Sequence, residues 1–171
     1  MTKGTLIFFC GKMGAGKSTA SEKVSKDRNG ILFSEDHWLA TLYPSEIKDV
    51  EDYLHYSKRL KPLIETLVRN LLETGTDVVM DFPANTVNQR LWFKQLLEET
   101  GAPYKFYFLN VENTRCLSQI AKRRVEQPDR AQFDTPEVFE KVTMHFAPPS
   151  EEEGFEFTTI LGSFNQDTVD K

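Results

Sequence analysis

Phe8–Thr19 reads FFCGKMGAGKST. The segment leaves an apolar run and turns at once into residues with little side chain, followed by a lysine and two hydroxyls. Glycine loses more conformational freedom on folding than any other residue, so clustered glycines answer a backbone need. Gly11, Gly14, Gly16, Lys17 and Ser18 fit G-x-x-x-x-G-K-[ST] in full. Thr5–Cys10, short, apolar and partly β-branched, predicts a buried strand before the glycines, and Ser18–Lys26 predicts a helix after them. In that setting consecutive main-chain amides converge on one concavity, and the helix N-terminus adds partial positive charge. Such a cradle suits a polyphosphate. The predicted nucleotide contacts are Gly11, Gly14, Ala15, Gly16, Lys17, Ser18 and Thr19. Lys17 reaches the β- and γ-phosphates, the Ser18 hydroxyl ligates Mg²⁺, and Thr19 supports the α-phosphate. Lys12 reads as a solvated loop residue and Cys10 as a small core residue.

Downstream the pattern alternates. Ile31–Phe33 predicts a second strand. Apolar residues from Val50 to Leu72 recur at threes and fours, the spacing of a helix, and Pro62 predicts either a kink or a fresh start within it. Asp77–Phe82 predicts a third strand. A helix follows through about Thr100, capped by Asn85 or Thr86 and ended by Gly101. Tyr104–Val111 predicts a fourth strand, Asn113–Arg124 a helix, and Glu126–Phe133 a polar loop. Thr135 or Asp134 caps the next helix, with Pro136 in its first turn. Phe155–Leu161 predicts a fifth strand. Strands alternating with helices imply an α/β fold with a mostly parallel sheet covered on both faces. The expected organisation is one domain over residues 1–161, with a lid near 122–135, and a polar tail over 162–171.

A metal held by Ser18 needs a second anchor. Asp81 ends the third strand, where Mg²⁺ held through water makes a natural partner; a capping or salt-bridging role is the alternative. N-K-x-D, the guanine-reading pattern, is absent, which leaves ATP as the expected nucleotide. Phosphoryl transfer also needs a carboxylate to accept a hydroxyl proton and cations for the moving group. Asp36, past the second strand in SEDHW, is the candidate base; the alternative is an N-cap for a helix beginning at His37. Glu35 is set aside because neighbours in extended chain point apart. Trp38, Leu42 and Tyr43 either wall an acceptor pocket or simply pack. Arg115, Lys122, Arg123, Arg124 and Arg130 crowd the helix and loop after the fourth strand, and a closing lid there would carry arginine to the phosphates. Arg90 is either an acceptor or phosphate ligand or a surface residue.

Composition narrows the class. The chain has 171 residues, 39% hydrophobic, with a formal net charge of −5, which argues against nucleic-acid binding driven by overall charge. Two cysteines make no disulfide framework, and no basic, apolar leader precedes Leu6, so a cytoplasmic protein with reduced thiols is expected. No stretch is apolar enough to span a bilayer.

GKMGAGKST, SEDHW, VVMDFPANTVNQR, CLSQIAKRR and PPSEEEGF, in that order, resemble the small bacterial P-loop ATP-binding proteins of the AAA-33 type. That group is related to the kinase domain of polynucleotide kinase, to chloramphenicol phosphotransferase and to zeta-toxin kinases. The resemblance runs from about Leu6 to Phe157. It implies a P-loop NTPase fold of nucleotide-kinase type with a parallel five-stranded core and a lid, ATP plus Mg²⁺, and transfer of the γ-phosphoryl to a hydroxyl. Carried onto this chain, it puts the base at Asp36 and the lid cations at Arg123 and Arg130. Several relatives have an arginine three residues past the base to hold an acceptor-side phosphate; this chain has Leu39. A neutral or aromatic-walled small-molecule acceptor is therefore expected over a nucleic-acid end. The alternatives are a regulatory ATP-binding protein with slow hydrolysis, and a nucleic-acid 5′-hydroxyl or sugar-nucleotide kinase.

Overall fold

A computed structural model describes residues 2–162 and 164; most of the expected polar tail, 162–171, lies outside them. The elements run β1 (Leu6–Cys10), α1 (Lys17–Asp27), β2 (Ile31–Ser34), α2 (Glu35–Leu42), α3 (Val50–Glu73), β3 (Val78–Asp81), α4 (Val87–Thr100), β4 (Tyr104–Asn110), α5 (Asn113–Glu126), α6 (Pro136–Thr143) and β5 (Thr158–Leu161), with short 3-10 turns at Pro128–Arg130 and Glu151–Glu153. The five strands form one sheet in the order β2-β3-β1-β4-β5. β1 with β3, β2 with β3 and β4 with β5 pair in parallel, as the alternation of strands and helices requires.

The chain packs as two compact units. The first comprises the described residues of Met1–Phe8, Ser21–Phe82 and Trp92–Lys105. Its strands are continuous apolar runs, as parallel strands buried on both faces must be. Leu6, Ile7, Phe8, Val78, Val79 and Met80 are all 0% exposed. The Phe8 ring stacks on Phe93 with centroids 4.3 Å apart. α3 buries Ser57, Leu60, Ile64, Val68 and Leu72, a stripe at threes and fours. Asp49 caps it, accepting from Asp52 N at 2.8 Å. Pro62 neither breaks nor restarts the helix, which runs unbroken for 24 residues. Gly75, at φ 84°, follows the Thr74 cap and returns its amide to Leu72 O.

In this unit Ser34, not Asp36, caps α2: its Oγ accepts from His37 N. The helix therefore starts at Glu35, two residues earlier than His37, and both carboxylates lie in its first turn. Negative charge is favoured there by the helix dipole. β2 and β3 pair so that Ser34 stands opposite Asp81.

The second unit comprises the described residues of Phe9–Ala20, Pro83–Leu91 and Phe106–Lys171. Its core joins Val111, Cys116, Ile120 and Phe139, with Met13, Ala15 and Leu117 packed against it. Thr86 rather than Asn85 caps α4, accepting from Gln89 N at 3.1 Å; the side-chain Gln89 Oε1 in turn accepts from the Asn85 and Thr86 amides. Thr135 caps α6, accepting from Val138 N, which leaves Asp134 for another task. Ser150 and Glu153 close a capping box on the second 3-10 turn.

Candidate active site

The glycine loop is built within the second unit. β1 delivers the chain to Gly11, and α1 begins at Lys17. Gly14 and Gly16 adopt φ 81° and 97°, a conformation that L side chains rarely take. Gly14 is also sterically required, because a Cβ there would lie 2.5 Å from Cys116 O on α5. A Cβ on Gly16 would meet nothing within 4 Å, so its need is conformational alone. Met13 and Ala15, pointing into the α5 core, pin the loop's outer side.

Asn85 Oδ1 accepts from Gly11 N at 2.9 Å, and Lys12 O accepts from Ala15 N at 2.9 Å. Among the described residues, the amides of Gly14 and Gly16 meet no protein acceptor. α1 carries no acidic residue in its first turn, unlike α2 and α3, so nothing on its own first turn repels an anion. Lys17 Nζ donates to Gly11 O at 2.5 Å, folding the ammonium back over the loop. Glycine curvature, open amides and an overhanging lysine fit a polyphosphate. Ser18 and Thr19 are exposed at the helix start. Lys12 is not simply solvated: Nζ donates to Asn113 Oδ1 at 2.8 Å and sits 5.4 Å above the Phe146 ring. A cleft of about 530 Å³ opens beside it, lined by Asn110, Val111, Glu112, Arg115, Leu161 and Gly162 as well.

Cys10, behind the loop, is fully buried. Burial pushes its thiol up to about 11, against the pull of Arg90 and Lys17. It is a core thiol, as its sequence position suggests.

The arginines divide. Arg123 forks onto Asp134, Nε to Oδ2 at 3.0 Å and Nη2 to Oδ1 at 2.5 Å. Arg130 Nε lies 3.6 Å from the same carboxylate. Arg124 lines a separate hollow with Leu117, Ile120 and Pro136. Arg90 is neither a surface residue nor exposed to a ligand. It is 0% exposed, donating to Glu153 Oε1 at 2.7 Å and to Ala84 O and Ala147 O at 3.0 and 2.8 Å. It holds the 147–153 segment to the start of α4.

In the first unit, Asp36 belongs to a cluster that its sequence neighbours do not reveal. The Tyr53 hydroxyl oxygen lies 2.7 Å from Glu35 Oε1 and 2.6 Å from Asp36 Oδ1. Ser57 Oγ donates to Glu35 Oε2 at 2.8 Å. Glu35 is 1% exposed, whereas Asp36 is half-buried. Burial raises the Glu35 carboxyl above its ordinary range, opposed by the Tyr53 and Ser57 hydroxyls. Burial and the two carboxylates also drive the Tyr53 phenol well above its usual value. Asp81, the last residue of β3, is half-buried. Trp38 packs on Phe33 and Tyr43 on Tyr56, with centroids 6.0 and 4.2 Å apart, while Leu42 is half exposed. Leu39 is core, 1% exposed.

Residues 6–149 match the family model of the AAA domain AAA_33. The chain belongs to that family. No curated protein sequence matches this AAA_33 chain. Solved structures resemble it in fold. A candidate kinase from Chloroflexus aurantiacus aligns at TM-score 0.76 and 15% identity, over 94% of this chain and 89% of that one. APS kinase CysC of Mycobacterium tuberculosis, in complex with AMPPNP and APS, aligns at TM-score 0.64 and 14% identity, over 99% and 98%. A chain of the Pnkp1/Rnl/Hen1 RNA repair complex aligns at TM-score 0.63 and 17% identity, over 88% of this chain and 50% of that one. The AAA_33 chain thus has a P-loop kinase-like fold, as its glycine motif predicts. Among the described residues, no helix is long and apolar enough to cross a membrane.

Proposed function

We propose that this AAA_33 protein is an ATP-dependent phosphotransferase acting on a hydroxyl of a small molecule. The observation that carries the reading is the loop Gly11–Ser18, where left-handed glycines, open amides and Lys17 make a cradle of the right chemistry. Lys17 would exchange Gly11 O for the β- and γ-phosphate oxygens. The open amides of Gly14 and Gly16, with Ala15 between them, would close on the phosphates, with Thr19 beside the α-phosphate. Ser18 and Asp81 supply the hydroxyl and carboxylate that suit Mg²⁺, a hard cation that binds through few protein ligands and keeps several waters. The cleft lined by Lys12, Asn110, Arg115 and Leu161 suits the nucleoside. Arg123, once exchanged from Asp134, is the lid cation, and Arg130 supports it. When bound, MgATP supplies the phosphoryl group and leaves as ADP.

Asp36 accepts the proton that the acceptor hydroxyl gives up. Position 39 holds a leucine, and it is buried, so it offers no cation to an acceptor phosphate. Tyr43, Tyr56 and His55 gather at α2 and the start of α3, with the His55 ring 5.0 Å from Tyr56. These residues support an uncharged, ring-bearing acceptor.

Transfer of labelled phosphate from ATP to sugars, nucleosides, other hydroxyl metabolites and oligonucleotides tests the reading. The expected result is Mg²⁺-dependent labelling of a neutral small molecule, abolished in Asp36→Asn while ATP binding persists. Tight ATP binding with no acceptor across the panel would overturn it in favour of a regulatory ATP-binding protein. Normal turnover in Asp36→Asn would remove Asp36 from the mechanism.

A further inference from the structure

Asp36, Tyr53, Glu35 and Ser57 present a proton-counting problem. A phenol has one proton, yet the Tyr53 oxygen contacts two carboxyl oxygens at 2.7 and 2.6 Å. Both distances fall in the range of charge-assisted O–H···O bonds. If both carboxyls were ionised, one of those contacts would set two lone pairs against each other. The pair is attractive on both sides only when one carboxyl carries a proton and donates it to the phenol oxygen. Two carboxyl groups so close together do not both ionise readily.

Burial decides which one holds the proton. Glu35 is 1% exposed and its second oxygen already accepts from Ser57. Asp36 is more exposed. An ionised carboxylate is far costlier in the buried position. The groups facing Glu35 are Tyr53, Ser57 and Lys61 of α3, and Asp36 beside it in α2. Of these only Lys61 is cationic.

We propose that Glu35, Tyr53 and Ser57 are positioning residues for Asp36: neutral Glu35 donates to Tyr53, Tyr53 donates to Asp36 Oδ1, and Asp36 is thereby fixed as the ionised partner. The chain runs in one direction, so Asp36 is held through Oδ1 by the Tyr53 hydroxyl. No proton needs to leave the relay for Asp36 to act; Tyr53 stabilises the carboxylate and holds its plane. The inference rests on the kinase reading for its purpose, but its protonation pattern exists in the unliganded protein.

Carboxyl-carbon NMR of the full chain, labelled at Asp and Glu, tests it without any substrate. The expected result is a Glu35 carbon that keeps the shift of a neutral acid to higher pH than the Asp36 carbon does. Tyr53→Phe removes the donor and should raise the Asp36 titration by about one unit. Glu35→Gln keeps a neutral donor in place, so the Asp36 titration should stay where it is; an ionised Glu35 would make it fall. Glu35 losing its proton before Asp36, a lowered Asp36 titration in Glu35→Gln, or an unmoved one in a folded Tyr53→Phe would each overturn the relay. The unsubstituted protein alone settles the Glu35 state should Tyr53→Phe fail to fold. Failure of phosphate transfer, by contrast, would leave these titrations untouched and bear only on the function.

Discussion

Arg123 and Asp134 form a two-point pair, with Nε on Oδ2 at 3.0 Å and Nη2 on Oδ1 at 2.5 Å, and the Asp134 side chain is fully buried. The arginine assigned to a lid therefore has a structural partner of its own. A planar guanidinium against a carboxylate is geometrically specific, and lysine cannot reproduce it.

Arg123→Ala would leave the Asp134 carboxylate buried with Arg130 Nε 3.6 Å away. Removing one member of a buried pair costs more than the pair contributes. The expected loss is about 2–4 kcal/mol of unfolding free energy, read by denaturant titration. A loss below about 0.5 kcal/mol, the usual span for inconsequential surface changes, would contradict the burial and geometry of this pair.

The loop glycines separate two kinds of requirement. Gly16→Ala places a side chain at φ 97° in open space, with an expected cost of about 1–2 kcal/mol. Gly14→Ala adds a Cβ 2.5 Å from Cys116 O, so α5 must move as well. Unfolding measurements should show Gly14→Ala as clearly the more damaging. Equal losses would mean that α5 does not press on the loop.

Glu35 gives stability a definite pH dependence. Burial, the largest influence, lifts its carboxyl above the ordinary 4.5, and Asp36 adds to the rise. For a raised acid the stabilising protonated form is fully present below the unfolded value and is lost as pH climbs through the folded value. Relative to Glu35→Gln, the parent protein should therefore lose stability as pH rises from about 4.5 toward the folded titration point. Paired denaturation curves across that range check the sign, and a difference growing in the parent's favour would contradict it.

The fold was legible in the chain because periodicity encodes it. Apolar runs of strand length alternate with helical stripes, and the glycine motif falls at the one junction where β1 meets α1. Pro62 misled only in part: a helix of 24 residues with Leu60, Ile64, Val68 and Leu72 buried tolerates a missing amide. The site was less legible where contacts are long-range. Glu35 and Asp36 point to opposite sides in extended chain but only about 100° apart in a helix, and Ser34, by capping α2, puts them in its first turn. Tyr53 and Ser57 lie 17 and 22 residues from Asp36 and Glu35; both fall in line with the buried stripe of α3, where the spacing marks them only as packing positions. Arg90 resembles any helix-surface arginine in sequence, and only the return of residues 147–153 buries it.

Calorimetry of ATP added to the full chain in the presence of Mg²⁺ tests the central claim most directly. Saturable binding at one site is expected, weakened at least about tenfold, or about 1.4 kcal/mol, in Lys17→Ala, with the fold retained. A well-folded protein that takes up no ATP, or that binds it equally well without the Lys17 ammonium, would contradict the claim that Gly11–Ser18 cradles a triphosphate.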